Sequence, residues 1–152
     1  MHFYELMKEK YKDKEVVMFV DMDGVIASYD FGRPLDFKNK RPLMTNIETL
    51  RKVSELDNID LNILSICRKD FQIDEKNEWL DEFAPFFKKE KRNILSKETI
   101  TGISSAEMKR NFLENVDTDK IIIMLDDDNK VLDVLSKSNR KIILYQDSEL
   151  VD

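Results

Sequence analysis

The stretch Val16-Val17-Met18-Phe19-Val20-Asp21-Met22-Asp23-Gly24 decides the fold. Five apolar residues are followed by two aspartates one residue apart and then by a glycine. An apolar run of this length is typical of a strand buried on both faces, as in the centre of a parallel sheet. Ligands of open α/β sheets bind beyond the carboxyl ends of such strands, which makes Asp21 and Asp23 candidate site residues. The Asp-Gly pair is also typical of a turn with solvated acids, and this stretch alone leaves both interpretations open.

A second apolar run also ends in carboxylates. Residues 121–125 are Ile-Ile-Ile-Met-Leu, and Asp126, Asp127 and Asp128 follow them. Two buried parallel strands would bring these acids and Asp21 to one edge of the sheet, where protons or a cation must offset their repulsion. Oxygen ligands suit a hard divalent ion such as Mg²⁺. One acid of the triplet is also expected to cap the next helix, since one cap needs one acid.

The chain resembles the haloacid dehalogenase-like hydrolases, phosphatase type, in four motifs that occur in that family's order. The segment DMDGV at 21–25 resembles the first motif, and Ser65, read as the end of a core strand, resembles the second. The third is a lysine, and the fourth is the acidic pair Asp126 and Asp127. The resemblance spans residues 16 to about 135. It implies a Rossmann-like, three-layer α/β fold.

The resemblance also implies a role for each motif. In this family the first aspartate is the nucleophile, so Asp21 would form an aspartyl-phosphate, and Asp23 would act as general acid and then as general base. Ser65 and the lysine would bind oxygens of the transferring phosphoryl group. Mg²⁺ would be held by Asp21, the backbone carbonyl of Asp23 and Asp126, with Asp127 orienting a bound water or the lysine.

Two lysines are candidates for the third motif. On a helix that begins at Ser104, Lys109 interrupts an apolar stripe, and a charged group there needs a partner such as the carboxylates at the sheet edge. In the family this lysine lies near the start of the helix that precedes the fourth motif, which also favours Lys109. Lys97 stays open as the alternative, and so does a Lys109 whose stem only covers apolar surface.

Two further points stay open at the site. The acidic triplet allows Asp127–Asp128 in place of Asp126–Asp127 as the functional pair. Arg68 follows the second motif closely, and it is either a phosphate-binding residue or a surface charge.

Length and patterning predict one domain over residues 1–152, built on a mostly parallel five-stranded sheet. Thr45 and Ser104 each begin a predicted capping box. The irregular segment 26–43 matches the position of the family's flap and is too short for a large cap domain. Strands are predicted at about 15–20, 60–65, 91–95, 120–125 and 141–145, and helices at about 45–57, 74–83, 105–116 and 129–137, after a weaker N-terminal helix.

Composition excludes several functional classes. The 152-residue chain has a formal net charge of −6, which argues against a general nucleic-acid binder. No apolar run approaches the roughly 20 residues that span a bilayer. The single cysteine and the charged N-terminus, which lacks the apolar core of a signal peptide, predict a cytoplasmic protein.

The four motifs and the family that they resemble imply a Mg²⁺-dependent hydrolase of small-molecule phosphomonoesters. A weaker resemblance to the 5′(3′)-deoxyribonucleotidase branch, through DMDGV, Trp79 and the Asp-Asp pair, implies a nucleotide substrate, although that branch carries a helical cap that is missing here. A receiver-like phosphoacceptor domain has similar groups in the reverse order. A catalytically silent interaction protein is the other alternative. Two questions also stay open: whether the phosphoryl group passes to water or to another acceptor, and whether oligomerisation closes the site.

Overall fold

The computed structural model describes residues 2–29 and 36–151. Within these ranges the chain forms five strands, all parallel, in the order β3-β2-β1-β4-β5. This confirms the predicted three-layer α/β fold without a large cap domain. The strands are β1 (Val16–Val20), β2 (Ile59–Cys67), β3 (Arg92–Ser96), β4 (Ile121–Asp126) and β5 (Ile143–Gln146). The helices are α1 (Phe3–Lys10), α2 (Met44–Ser54), α3 (Phe71–Phe83), α4 (Ser105–Glu114) and α5 (Asn129–Ser136), with 3-10 helices at Lys89–Lys91 and Asp147–Leu150.

β1 lies at the centre of the sheet because both of its faces are apolar. All five of its residues are buried. Successive side chains of a strand point to opposite faces, so Met18 packs in one core and Phe19 in another. The helices α1, α2 and α3 contribute to the first core, whereas α4 and α5 contribute to the second. No helix in the described ranges is long and apolar enough to cross a membrane.

The strand order places a topological switch point between β1 and β4. The strands β2 and β3 lie on one side of β1, and β4 and β5 lie on the other. Open α/β sheets bind ligands in the crevice beyond the carboxyl ends of strands at such a point. Asp21 continues β1 into this crevice, and its backbone N–H donates to the Leu125 carbonyl oxygen at 3.0 Å. The sheet therefore brings the two acidic segments together.

The side-chain cap of one of the two predicted capping boxes is confirmed. Ser104 Oγ accepts the Glu107 N–H at 3.2 Å at the start of α4. The capping box expected at Thr45 is wrong, because α2 has Leu43 at its N-cap position and no side-chain cap. The next residue, Asn46, is buried and donates to the Val25 carbonyl oxygen at 2.7 Å, so this polar side chain fastens the loop after β1.

Hydrogen bonds close the base of the predicted flap and attach its second half to the body of the protein. Its base is closed by the Ser28 N–H, which donates to the Arg41 carbonyl oxygen at 2.9 Å. Its second half is fastened to α3, since Trp79 Nε1 donates to the Lys40 carbonyl oxygen at 3.0 Å. Residues 30–35 of the flap lie outside the described residues.

Candidate active site

Three carboxylates meet at the carboxyl ends of β1 and β4. Side-chain oxygens of Asp21, Asp126 and Asp127 lie within 4.8 Å of one another. Asp21 is 7 % exposed and Asp126 is fully buried. Burial raises the pKa of Asp21 well above its ordinary value, despite the opposing charge of Lys109. Burial, followed by the charge of Asp126, raises the pKa of Asp127 to about 6. The cluster is therefore one that gains from a bound cation.

Lys109 supplies positive charge to this carboxylate cluster. The residue lies on α4 and is 4 % exposed. Its Nζ lies 2.6 Å from Asp126 Oδ2 and 3.1 Å from Asp21 Oδ1. These distances confirm the predicted contact with the sheet edge, and the alternative of a surface lysine is wrong. Burial alone would lower the pKa of Lys109, but Asp21 and Asp126 raise it, so the side chain is charged at neutral pH.

Asp128 has a different structural role from Asp126 and Asp127. Its Oδ1 accepts the Lys130 N–H at 2.9 Å and so caps α5, which confirms that one acid of the triplet is a helix cap. Its own N–H donates to Asp126 Oδ1 at 3.0 Å. The structure thus places Asp126 and Asp127 beside Asp21, and their role as metal ligands stays a prediction.

Gly24 allows Asp127 to approach the loop after β1. Its φ of +81° is left-handed, and a Cβ at this position would lie 2.0 Å from Asp127 Oδ2. The Gly24 N–H also donates to the Ala27 carbonyl oxygen at 2.8 Å. The Asp-Gly pair therefore does form a turn, and the same turn lies against the carboxylate cluster.

We expect Gly24→Ala to lower the free energy of unfolding by about 1–3 kcal/mol and to displace Asp127. If the cluster binds Mg²⁺ as predicted, the affinity for this ion should fall at the same time, because the displaced carboxylate leaves the cluster. Urea denaturation and Mg²⁺ titration measure the two effects. Gly102→Ala is the matched control, since Gly102 has a φ of +84° but nothing within 4 Å of a Cβ. Unchanged Mg²⁺ affinity in Gly24→Ala would contradict the importance of this close approach.

Asp23 is held by two lysines that the sequence analysis did not select. Lys40 Nζ lies 2.8 Å from Asp23 Oδ1, and Lys76 Nζ lies 3.3 Å from Asp23 Oδ2. Lys40 is 8 % exposed and Lys76 is 1 % exposed. Burial would raise the pKa of Asp23, but the ammonium groups of Lys76 and Lys40 outweigh it and the pKa is lowered. Asp23 is therefore ionised at neutral pH.

Ser65 lies inside β2, and its expected position at a strand end is wrong. The strand continues to Cys67 because Ile66 and Cys67 prolong the apolar run. Ser65 is fully buried and is not one of the residues that line the cavity. Its Oγ lies 2.6 Å from Lys76 Nζ and accepts this hydrogen bond, because an ammonium can only donate. Ser65 is therefore linked to the cavity through Lys76.

A cavity of about 820 Å³ opens over this edge of the sheet. Arg68 and Lys97 are exposed residues on its wall. Within the described part of the chain Lys97 makes no ion pair with a carboxylate, unlike Lys109. Among the described residues, the charged side chains that line the cavity are five carboxylates and five cations, namely Asp21, Asp23, Asp126, Asp127 and Asp128 with Lys40, Arg68, Lys76, Lys97 and Lys109.

The sequence does contain a signal for Lys76. On α3, this residue lies three positions before Trp79 and four before Leu80, which places it on an apolar face of the helix, and all three residues are buried. A lysine on the buried face of a helix is the same signal that identified Lys109. Lys40 lies in an irregular segment, where no periodicity distinguishes inward from outward positions.

The titration of Asp127 predicts how stability depends on pH. Its pKa rises from 3.8 to about 6 on folding, so the folded state binds more protons between these values. The free energy of unfolding therefore falls as the pH rises through this window. We expect the protein in chelator to have a higher thermal unfolding midpoint at about pH 5 than at about pH 7.5, and Mg²⁺ to remove the difference by favouring ionised carboxylates. A midpoint in chelator that is higher at the upper pH would contradict this expectation.

No protein-family model and no curated protein matches this chain.

Proposed function

We propose that the protein is a Mg²⁺-dependent phosphomonoester hydrolase that works through an aspartyl-phosphate. The observation that carries this proposal is the position of Asp21, at the end of the central strand, beside Lys109 and two further carboxylates. A carboxylate can act as a nucleophile toward phosphorus. Asp21 also lines the cavity, so a substrate can reach it.

The carboxylate cluster fits a divalent cation in charge and in ligand type. Asp21, Asp126 and Asp127 carry three negative charges when ionised, and Lys109 neutralises one of them. Carboxylate oxygens suit Mg²⁺, which typically uses one or two carboxylates and keeps several waters. When bound, the ion would supply positive charge for the phosphoryl oxygens.

The charge of the whole cavity supports a phosphate ester as the ligand. Its described lining has equal numbers of carboxylates and cationic side chains. One divalent ion would therefore leave an excess of two positive charges, which matches the dianion of a phosphomonoester. This balance supports a substrate whose recognised group is phosphate.

The proposed reaction has two steps that use different residues. In the first step Asp21 attacks phosphorus and the ester oxygen leaves, while Lys109 stabilises the charge that shifts onto the phosphoryl oxygens. In the second step ionised Asp23 accepts a proton from the water that attacks phosphorus, which releases phosphate and restores Asp21, and Asp23 then gives this proton to solvent. As a general acid in the first step Asp23 would need a proton, and its contacts with Lys40 and Lys76 disfavour that form. Aryl phosphates, whose leaving groups depart without a proton, are therefore the best first substrates.

The receiver-like alternative receives less support from the fold than the hydrolase does. The observed strand order, 3-2-1-4-5, differs from the flavodoxin-like order 2-1-3-4-5 of receiver domains. The nucleotide substrate stays a prediction. Trp79, one of the features behind it, is buried and packs edge-to-face on Phe37, so its ring does not offer a stacking surface to a base.

The test is a panel of an aryl phosphate, an alkyl phosphate and nucleoside monophosphates, each assayed with Mg²⁺ and with a chelator. We expect multiple turnovers of the aryl ester with Mg²⁺ and none with chelator. One equivalent of stable phosphoprotein without turnover would instead indicate a phosphoacceptor domain. No reaction with any ester would favour a silent interaction protein.

A further inference from the structure

We propose that Lys40 is a substrate-binding residue that donates a hydrogen bond to the phosphate group, and that Lys76 is the positioning residue that keeps Asp23 and Ser65 in place beside it. This inference rests on the proposed function and extends it. It assigns recognition of phosphate to a buried cation of the flap, away from the carboxylate cluster, and assigns the support of its surroundings to a buried cation of α3.

Lys40 and Lys76 share a single counter-charge. Within the described residues, Asp23 is the only carboxylate that forms an ion pair with either ammonium. Both lysines are more than nine-tenths buried, and both line the cavity. A buried charge without a counter-charge is costly. The group formed by these two lysines and Asp23 therefore carries one excess positive charge that an anion in the cavity would neutralise.

The two ammonium groups differ in how many of their hydrogen-bond donors are already used by protein acceptors. Each ammonium has three N–H donors. Lys76 uses all three, on Asp23 Oδ2 at 3.3 Å, on Ser65 Oγ at 2.6 Å and on the Ile66 carbonyl oxygen at 3.0 Å. Lys76 is therefore saturated, and its role is to hold its partners.

Lys40 keeps a donor for a ligand. Its ammonium lies 2.8 Å from Asp23 Oδ1 and donates to the Ser28 carbonyl oxygen at 3.2 Å, which accounts for two of its three N–H groups within the described residues. Because Lys40 also lines the cavity, its third donor can reach a bound anion.

Aromatic rings fix the ammonium groups where they lie. Lys40 Nζ lies 5.4 Å from the centre of the Phe37 ring and 5.5 Å from that of Tyr29. Lys76 Nζ lies 5.0 Å from the centre of the same Phe37 ring. These are cation–π distances, and the rings shield the charges from water. A hydrogen bond from Lys40 to an anion is therefore stronger here than at an exposed surface.

The test is the affinity for orthophosphate, the expected product, measured by calorimetry at saturating Mg²⁺. Lys40→Met should weaken binding about 10- to 100-fold, the effect of one charge-assisted hydrogen bond. Lys38→Met is the matched control, since Lys38 is an exposed residue of the same segment that does not line the cavity, and it should change the affinity by less than about twofold. Titration with Mg²⁺ alone should give the wild-type result for Lys40→Met, because Lys40 does not contact the carboxylate cluster.

Lys40→Gln is the second variant if Lys40→Met does not fold, and it should show the same loss because it too removes the charge. Wild-type phosphate affinity in these variants would overturn the proposal, as would the absence of phosphate binding by the wild-type protein. Phosphate binding that depends on Lys40 in a protein that hydrolyses no ester would support this inference and overturn the proposed function. Hydrolysis by a protein whose phosphate affinity does not change when Lys40 is substituted would support the proposed function and overturn this inference.

The positioning role of Lys76 has its own readout. Lys76→Met should lower kcat for the aryl ester more than it raises KM, because Asp23 and Ser65 lose their common partner while Lys40 still binds phosphate. Lys76→Arg, which keeps the charge and several donors, should recover part of kcat. Equal losses in both variants, with KM and kcat affected alike, would contradict a positioning role.

Discussion

Asp21→Asn is expected to slow phosphomonoester hydrolysis by at least about 10⁴-fold, the scale on which loss of a catalytic nucleophile acts. The amide keeps the shape of the side chain but is not a nucleophile, and it removes one negative charge from the carboxylate cluster. Turnover of an aryl phosphate at saturating Mg²⁺ measures the loss. Trapping of phosphoprotein that hydroxylamine cleaves measures the intermediate, which should be absent in the variant.

The control for this variant is Asp57→Asn, at an exposed aspartate in the turn before β2. It should retain full activity. Thermal unfolding should show that Asp21→Asn is folded, since one fewer carboxylate reduces repulsion with Asp126 while Lys109 keeps Asp126 as its partner. Substantial turnover by Asp21→Asn would show that another group attacks phosphorus.

The second large effect is expected at Lys109. Lys109→Met should slow hydrolysis about 10²- to 10³-fold, because it removes the charge that stabilises the transferring phosphoryl group. Methionine suits the apolar face of α4, so the fold should be kept. In chelator, however, Asp21 and Asp126 lose a buried partner, and the free energy of unfolding should fall by about 3–5 kcal/mol. Added Mg²⁺ should recover part of this stability.

Lys97→Met is the matched control, because Lys97 lies on the cavity wall without an ion pair to the carboxylates of the described chain. It should have little effect on either activity or stability. Urea denaturation with and without Mg²⁺, together with kcat for an aryl phosphate, separates the two variants. A larger loss of activity at Lys97 than at Lys109 would reverse the assignment of the lysine.

The strands that can be predicted from the sequence are those whose residues are apolar without interruption. β1 and β4 are apolar along their whole length and end in acids, so burial on both faces and a polar sheet edge follow from composition alone. The end of β2 was harder to place. Ser65 interrupts an apolar run that resumes with Ile66 and Cys67, and a single polar residue does not end a strand whose neighbours continue to pair.

The site residues that can be predicted from the sequence are those that lie at strand ends or on the buried faces of helices. Asp21, Asp126 and Lys109 are such residues, and Lys76 is one by the same physical reasoning. The position of Lys40 depends instead on long-range packing, because Phe37 and Trp79 hold its segment against α3. Contacts between segments this far apart in the chain leave no periodic pattern in the sequence.

The hydrogen bond from Trp79 to the flap also gives the protein an intrinsic optical probe. Trp79 is the only tryptophan of the chain, so ultraviolet excitation at the red edge selects one indole. Its N–H is bonded to the backbone of Lys40, and its ring lies against Phe37, and both of these residues line the cavity. Any ligand that shifts this segment changes the surroundings of the indole. Fluorescence emission from the unlabelled protein can therefore follow, in real time, the binding of any ligand that moves this segment, including ligands that are not turned over.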